Sequence, residues 1–86
     1  MKIKFSENAW EDYLYWQDKN KETVKRINKL LKDINGTPFA GIGKPEALHH
    51  NLSGYWSRRI DTEHRLVYTI ENNGTIVVIQ CRYHYQ

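Results

Sequence analysis

The hydrophobic period of this chain changes across a stretch rich in glycine and proline. From Glu7 to Ile34 the apolar residues recur at helical spacing, and from Glu46 onward they alternate. Gly36, Pro38, Gly41, Gly43 and Pro45 punctuate the change. Val24, Ile27, Leu30, Leu31 and Ile34 lie on one side of a helix, with Lys25, Arg26, Lys29 and Lys32 on its other faces. Asn20 is its expected N-cap, Gly36 ends it, and Pro38 prevents its return. Trp10, Tyr13, Leu14 and Gln17 mark an earlier helix from about Glu7 to Lys19, capped by Ser6, with Glu7 in the first turn where the helix dipole favours it. Lys2 to Phe5 alternates as a short strand does. After the loop, Glu46 to Leu52, Tyr55 to Ile60, His64 to Glu71 and Thr75 to Tyr85 read as strands. The expected fold class is α+β: a short N-terminal strand, then two helices packed on one face of an antiparallel sheet.

Turn chemistry assigns side chains to faces. Asn73-Gly74 predicts a two-residue type I′ hairpin, in which Asn72 opposes Thr75 and Arg65 opposes Arg82. Directly opposed residues share a face. Leu66, Tyr68 and Ile70 are then expected in the core with Val77, Ile79 and Cys81. Arg65, Val67, Gln80, Arg82 and His84 take the other face. A three-residue loop at Asp61-Thr62-Glu63 sets Arg59 opposite Arg65 and sends Trp56, Ile60 and His64 to the core side. A two-residue loop would bury Arg59, which is costly for an unpaired cation. Arg59, Arg65, Arg82 and His84 are therefore expected together on the face away from the helices.

With 86 residues, the chain is read as one domain, residues 1–86. Its thin core implies a stability of about 5 kcal/mol. The net charge of +3 and a pI near 9.1 are compatible with a phosphate-rich partner without specifying one. Cys81 is the sole cysteine, so no internal disulfide forms, which fits a reducing cytoplasm. The first residues show no signal-peptide core. The aliphatic run Ile76 to Ile79 is too short to span a bilayer, and no membrane partner is expected.

The stretch from Lys44 to Tyr85 carries the residue types that RNA cleavage requires. RNA can be cut by its own 2′-hydroxyl attacking the adjacent phosphate. A base near that hydroxyl, an acid near the 5′-oxygen and cations around the phosphorane suffice. Glu46 fits the base, His84 the acid, and Arg65 and Arg59 the phosphate-holding groups, with Lys44 and Arg82 as further cations. Tyr55, Tyr83 and Tyr85 offer faces on which bases stack. Each has a plainer reading: a solvated carboxylate, arginines lying over a sheet, a surface histidine, tyrosines that pack. Trp10, Tyr13 and Trp16 read as core or interface groups rather than a base platform. His49, His50, His64, Cys81 and His84 show no zinc-type spacing, and Cys81 reads as a small buried hydrophobe. Gly41-Ile42-Gly43 is too short for a nucleotide loop and precedes no helix. No metal or cofactor is expected.

Longer strings make the chain recognisable. They are Trp10-Glu11-Asp12-Tyr13-Leu14-Tyr15-Trp16-Gln17, Gly43-Lys44-Pro45-Glu46, His50-Asn51-Leu52-Ser53-Gly54, Trp56-Ser57-Arg58-Arg59-Ile60, Glu63-His64-Arg65-Leu66-Val67-Tyr68 and Cys81-Arg82-Tyr83-His84-Tyr85. In these the chain resembles the YoeB toxins of the RelE-like superfamily over nearly its whole length. The resemblance implies a type II toxin: an endoribonuclease that cuts messenger RNA in the ribosomal A site and is neutralised by a cognate YefM-like antitoxin. It implies a homodimer, and contact with operon DNA only as the antitoxin complex. Carried over by motif, Glu46 is the general base, His84 the general acid and Arg65 the phosphate-stabilising residue, supported by Arg59 and Tyr85. Two features depart from the pattern: a longer Asn72-Asn73-Gly74 turn, and Gln86 after Tyr85. A different class of reading is a non-catalytic relative that inhibits a DNA topoisomerase, or a basic RNA-binding module. Glu46 and His84 beside the arginines favour cleavage, because binding alone needs neither acid nor base.

Overall fold

The computed structural model describes residues 1–84. Strand β1 (Ile3–Phe5) leads into helices α1 (Glu7–Lys19) and α2 (Lys21–Gly36), followed by β2 (Glu46–Ala47), a 3-10 turn (His50–Leu52), β3 (Trp56–Arg59), β4 (Arg65–Ile70) and β5 (Ile76–Gln80). Both helix starts follow from their caps. The Ser6 hydroxyl accepts the Ala9 N–H, and the Asn20 side chain accepts those of Glu22 and Thr23. Ile27, Leu30 and Ile34 of α2 are fully buried, each contributing roughly 1.5–3 kcal/mol of hydrophobic stabilisation. The buried face of α1 is Ala9, Asp12 and Trp16, whereas Trp10 and Leu14 of the apolar stripe are exposed.

Both helices cover one face of a five-stranded sheet ordered β1-β5-β4-β3-β2. The sheet is mixed, not antiparallel throughout. β1 runs parallel to β5, pairing Ile3 with Ile76 and Phe5 with Val78. Parallel neighbours require a crossover, and here everything from α1 to β4 forms it. Three alternating residues at the start of a sequence carry no sign of which distant strand they will join.

The β3–β4 register is the expected one, with Arg59 opposite Arg65 and Trp56 opposite Tyr68. The β4–β5 hairpin differs. Glu71 N–H donates to Thr75 O, Gly74 N–H donates to Glu71 O, and Gly74 has φ +88. The loop is therefore the three residues Asn72-Asn73-Gly74, closing with glycine in the left-handed position. This slips the pairing by one, so Ile70 meets Ile76 and Tyr68 meets Val78. Ile76 and Val78, not Val77 and Ile79, enter the core. An irregularity between Val67 and Tyr68 pairs Val67 with Gln80 and restores the expected phase, leaving Cys81 fully buried. The expected strand from Glu46 to Leu52 is also cut short. His50 adopts φ +59 and the chain turns through His50–Leu52. β5 likewise ends at Gln80 rather than Tyr85.

The parity that keeps Arg59 out of the core puts Arg58 into it, opposite Leu66 and with 0% exposure. That guanidinium is fully engaged. Nη1 donates to the Asp33 carboxylate and to Ile42 O, Nη2 to Thr37 O and Ala40 O, and Nε to the Tyr68 hydroxyl. The Tyr68 hydroxyl in turn donates to Pro38 O at 2.6 Å. One side chain thus replaces the secondary structure that the Thr37–Ile42 loop lacks. The hydrogen bond from Arg58, aided by the Ile42 N–H, holds the Asp33 carboxyl below its ordinary value of 3.8. The stabilisation Asp33 supplies is therefore present above pH 3.8 and is lost as pH falls through the lowered folded value. Arg58→Ala should cost about 3 kcal/mol in urea unfolding, since three loop carbonyls lose their donor and Asp33 keeps only the Ile42 N–H. Arg58→Lys should recover less than half, because an ammonium has three donors and no planar fork.

A candidate active site between the Gly43–Glu46 loop and the terminal turn

A cleft of about 310 Å³ lies on the sheet face away from the helices, lined by Lys44, Pro45, Glu46, Ser57, Arg59, Arg65 and His84. A larger groove of about 470 Å³ at the β1 edge offers one ionisable side chain, Lys2, and so little chemistry. The cleft is built from two sides. On one, Arg58 fixes the loop through Ile42, and Gly43 O then accepts the Arg59 N–H at 2.7 Å. Gly43 has φ +80, and a Cβ there would lie 2.9 Å from Leu30 Cδ2. Glycine is thus required by both conformation and space. Lys44 follows with φ +51, a left-handed conformation uncommon for a side-chain-bearing residue. Glu46 then pairs with Ser57 on β3.

On the other side the chain leaves β5 and is tied down residue by residue. The Asp12 carboxylate accepts the Cys81 N–H at 3.1 Å, and Trp16 Nε1 donates to Cys81 O at 2.8 Å. Gln80 Nε2 donates to the carbonyls of Arg82 and His84. Arg65 N–H donates to Tyr83 O. Between the two sides, the Arg65 guanidinium is itself held, donating through Nη1 to Asp61 O and His64 O. An arginine so fixed keeps its place before any anion arrives, which favours electrostatic stabilisation of developing charge.

The structure brings together Glu46, Arg59, Arg65, Lys44 and His84 of the expected site residues. It does not bring Arg82. That guanidinium lies 3.4 Å from the ring centroid of Tyr15 on α1 and 4.5 Å from that of Tyr83. The chain has left the strand at Gln80, so alternation no longer governs where residue 82 faces. Tyr85, expected to support the site, lies outside the described residues, as does Gln86. Ser57 and Pro45 line the cleft without having been singled out from sequence. Alternation along β3 carried the signal for Ser57, which shares a face with Arg59. Among the described residues, no group of three His, Cys, Asp or Glu side chains stands close enough to hold a metal ion.

Burial acts on two groups beneath the terminal turn. The Cys81 thiol is pushed up to about 12 by desolvation, reinforced by the Asp12 charge, and is inert at neutral pH. Desolvation also raises the Asp12 carboxyl above 3.8, against the opposing pull of the Cys81 N–H and Arg82.

A fold with this sheet and connectivity recurs among known proteins. Residues 5–85 match the family described as YoeB-like toxin of bacterial type II toxin-antitoxin system. Toxin YoeB of Escherichia coli strain K12 is 58% identical over 85 residues, covering 99% of this chain and 100% of the relative. The toxin in the YoeB-YefM complex from Staphylococcus aureus superposes with a TM-score of 0.91 at 55% identity, covering 99% of this chain and 98% of that one. The YoeB dimer from the same organism gives 0.91 at 52% over the same shares. The protein is a toxin of a bacterial type II toxin-antitoxin system. Within that class, the chain belongs to the YoeB family.

The raised Asp12 value sets the sign of a stability test. A folded carboxyl that binds its proton more tightly than the unfolded one costs stability as pH rises through the window above 3.8. Asn8 and Cys81 both donate to the same Asp12 oxygen, so an amide oxygen can accept both. Asp12→Asn should therefore raise the thermal midpoint at pH 7 and leave it unchanged near pH 3, measured by circular dichroism.

Proposed function

We propose that this chain is an endoribonuclease, a single domain spanning residues 1–86, that cuts messenger RNA on the ribosome and so stops translation. The observation that carries the reading is the gathering of one carboxylate, one imidazole and three cations in a single cleft: Glu46, His84, Lys44, Arg59 and Arg65. Glu46 takes the proton from the RNA 2′-hydroxyl, and the freed oxygen attacks the adjacent phosphorus. Arg65, braced by Asp61 O and His64 O, and Arg59 beside it hold the extra negative charge of the phosphorane. The bond from phosphorus to the 5′-oxygen breaks as His84 protonates that oxygen. The products are a 2′,3′-cyclic phosphate and a 5′-hydroxyl, and side chains alone supply the proton transfers. Lys44 contributes to backbone attraction at the rim, and Tyr85 belongs to the same site by its motif.

The partners follow by likeness. The Staphylococcus aureus relative forms a complex with YefM and a dimer. We infer that this chain is held inactive in the cytoplasm by a YefM-like antitoxin, forms a homodimer, and meets operon DNA only within the antitoxin complex. Arg82, stacked on Tyr15, would take part in phosphate binding only after leaving that ring.

The test is cleavage of ribosome-bound mRNA by the purified protein, with free RNA and DNA gyrase as parallel substrates. Cleavage on the ribosome is expected. Gyrase inhibition without any cut would replace this reading with the topoisomerase one. Glu46→Gln, Arg65→Ala and His84→Ala should each lower the cleavage rate by about 100-fold or more with circular dichroism unchanged.

A further inference from the structure

His64 anchors the terminal turn from outside both helices and is not one of the proposed reacting groups. Its Nδ1 accepts the backbone N–H of Tyr83 at 2.7 Å. An amide N–H can only donate, so Nδ1 is the unprotonated nitrogen. The ring proton then sits on Nε2, which lies 3.6 Å from a Glu63 carboxylate oxygen. The ring stands edge-on to Trp16 at 4.9 Å, and the side chain is 14% exposed. Meanwhile Tyr83 O accepts the Arg65 N–H at 2.9 Å. Both polar backbone groups of Tyr83 are thus held by consecutive residues of the β3–β4 loop and β4. Tyr83 also has φ +66, a conformation that a tyrosine adopts only when its surroundings impose it.

We infer that His64 is a positioning residue for the proposed cleavage: its neutral imidazole latches the Tyr83 N–H, and this bond steers the next side chain, His84, into the cleft. The inference rests on the endoribonuclease reading of that cleft. Without the latch, Tyr83 relaxes to an ordinary extended φ, the chain direction changes by one residue's rotation, and His84 leaves the place where a leaving oxygen would stand. His64 itself does not line the cleft and touches no reacting atom. It also sits within the packing around Trp16, so loss of the ring alone is a competing explanation of any defect.

Two substitutions separate these roles. His64→Phe keeps a ring against Trp16 and removes the acceptor. His64→Asn shortens the ring contact and keeps an acceptor oxygen near the position of Nδ1. With mRNA bound to ribosomes as substrate, His64→Phe should lower kcat about 100-fold with little change in KM, the size of effect expected when a reacting group is displaced by about 1 Å. His64→Asn should restore at least a tenth of the wild-type kcat, on the order of the same argument. Wild-type kcat in His64→Phe, or equal loss in both variants, overturns the latch. A separate measurement does not need activity: the scalar coupling between the Tyr83 amide and His64 Nδ1 in the nitrogen-15 NMR spectrum. It should be present in the wild-type protein and absent from His64→Phe, and its absence from the wild type overturns the latch. A wild-type protein that shows the coupling but never cuts RNA overturns instead the reading of the cleft, and the positioning role with it.

Discussion

A guanidinium with no exposed surface connects the two halves of this protein. Arg58 reaches from β3 to the end of α2 at Asp33, and on the way it collects the carbonyls of Thr37, Ala40 and Ile42. The loop between helix and sheet, punctuated by glycine and proline, forms no helix or strand of its own. A single planar fork supplies the missing donors from within the core. The position of Glu46 depends on this, because the fixed loop delivers Gly43 to the backbone of Arg59. The buried charge is accordingly less a source of net stability than of one definite loop conformation.

The cleft has a corresponding arrangement on its other wall. There Asp12 and Trp16 of α1 grip Cys81, and Gln80 gathers the carbonyls of Arg82 and His84. Both walls contain irregular chain, and both include a left-handed residue, Lys44 on one and Tyr83 on the other. The regular strands between them, β3 and β4, carry Arg59 and Arg65 as a directly opposed pair. Like charges set face to face cost stability, and that cost falls within the lining of the cleft. Both arginines thus sit on the sheet, while Glu46 joins it from the loop that Arg58 fixes and His84 follows the turn that Gln80 holds.

Much of this was readable from residues whose rules are local. Ser6 and Asn20 cap helices wherever they precede an apolar stripe, and Gly36 with Pro38 stops one. The β3–β4 register followed from refusing to bury Arg59. That argument reached the right pairing while overlooking its cost, because one of two adjacent arginines must enter the core in either phase. Arg58 is tolerated there because it is fully paired, and its partners lie 10 to 25 residues away in sequence, which no pattern reveals. The Asn73-Gly74 signal named the hairpin but not its loop length, since Asn72 makes a three-residue turn equally available. The slip it caused exchanged Val77 and Ile79 for Ile76 and Val78 in the core, and a bulge hid the error by Cys81. Arg82 was misplaced for a related reason: the strand ends at Gln80, and an alternation rule extends no further than its strand.

The order of the strands has one more consequence. β5 lies between β1 and β4, so the strand synthesised after all the others is the one that closes the sheet. Until it is made, β1 has no neighbour, α1 has nothing of Cys81 to hold, and the Lys44–Glu46 wall of the cleft stands without its opposite. Such non-local closure comes late in folding. A ribosome making this protein therefore carries four strands and two helices before it has made the strand that completes the cleft.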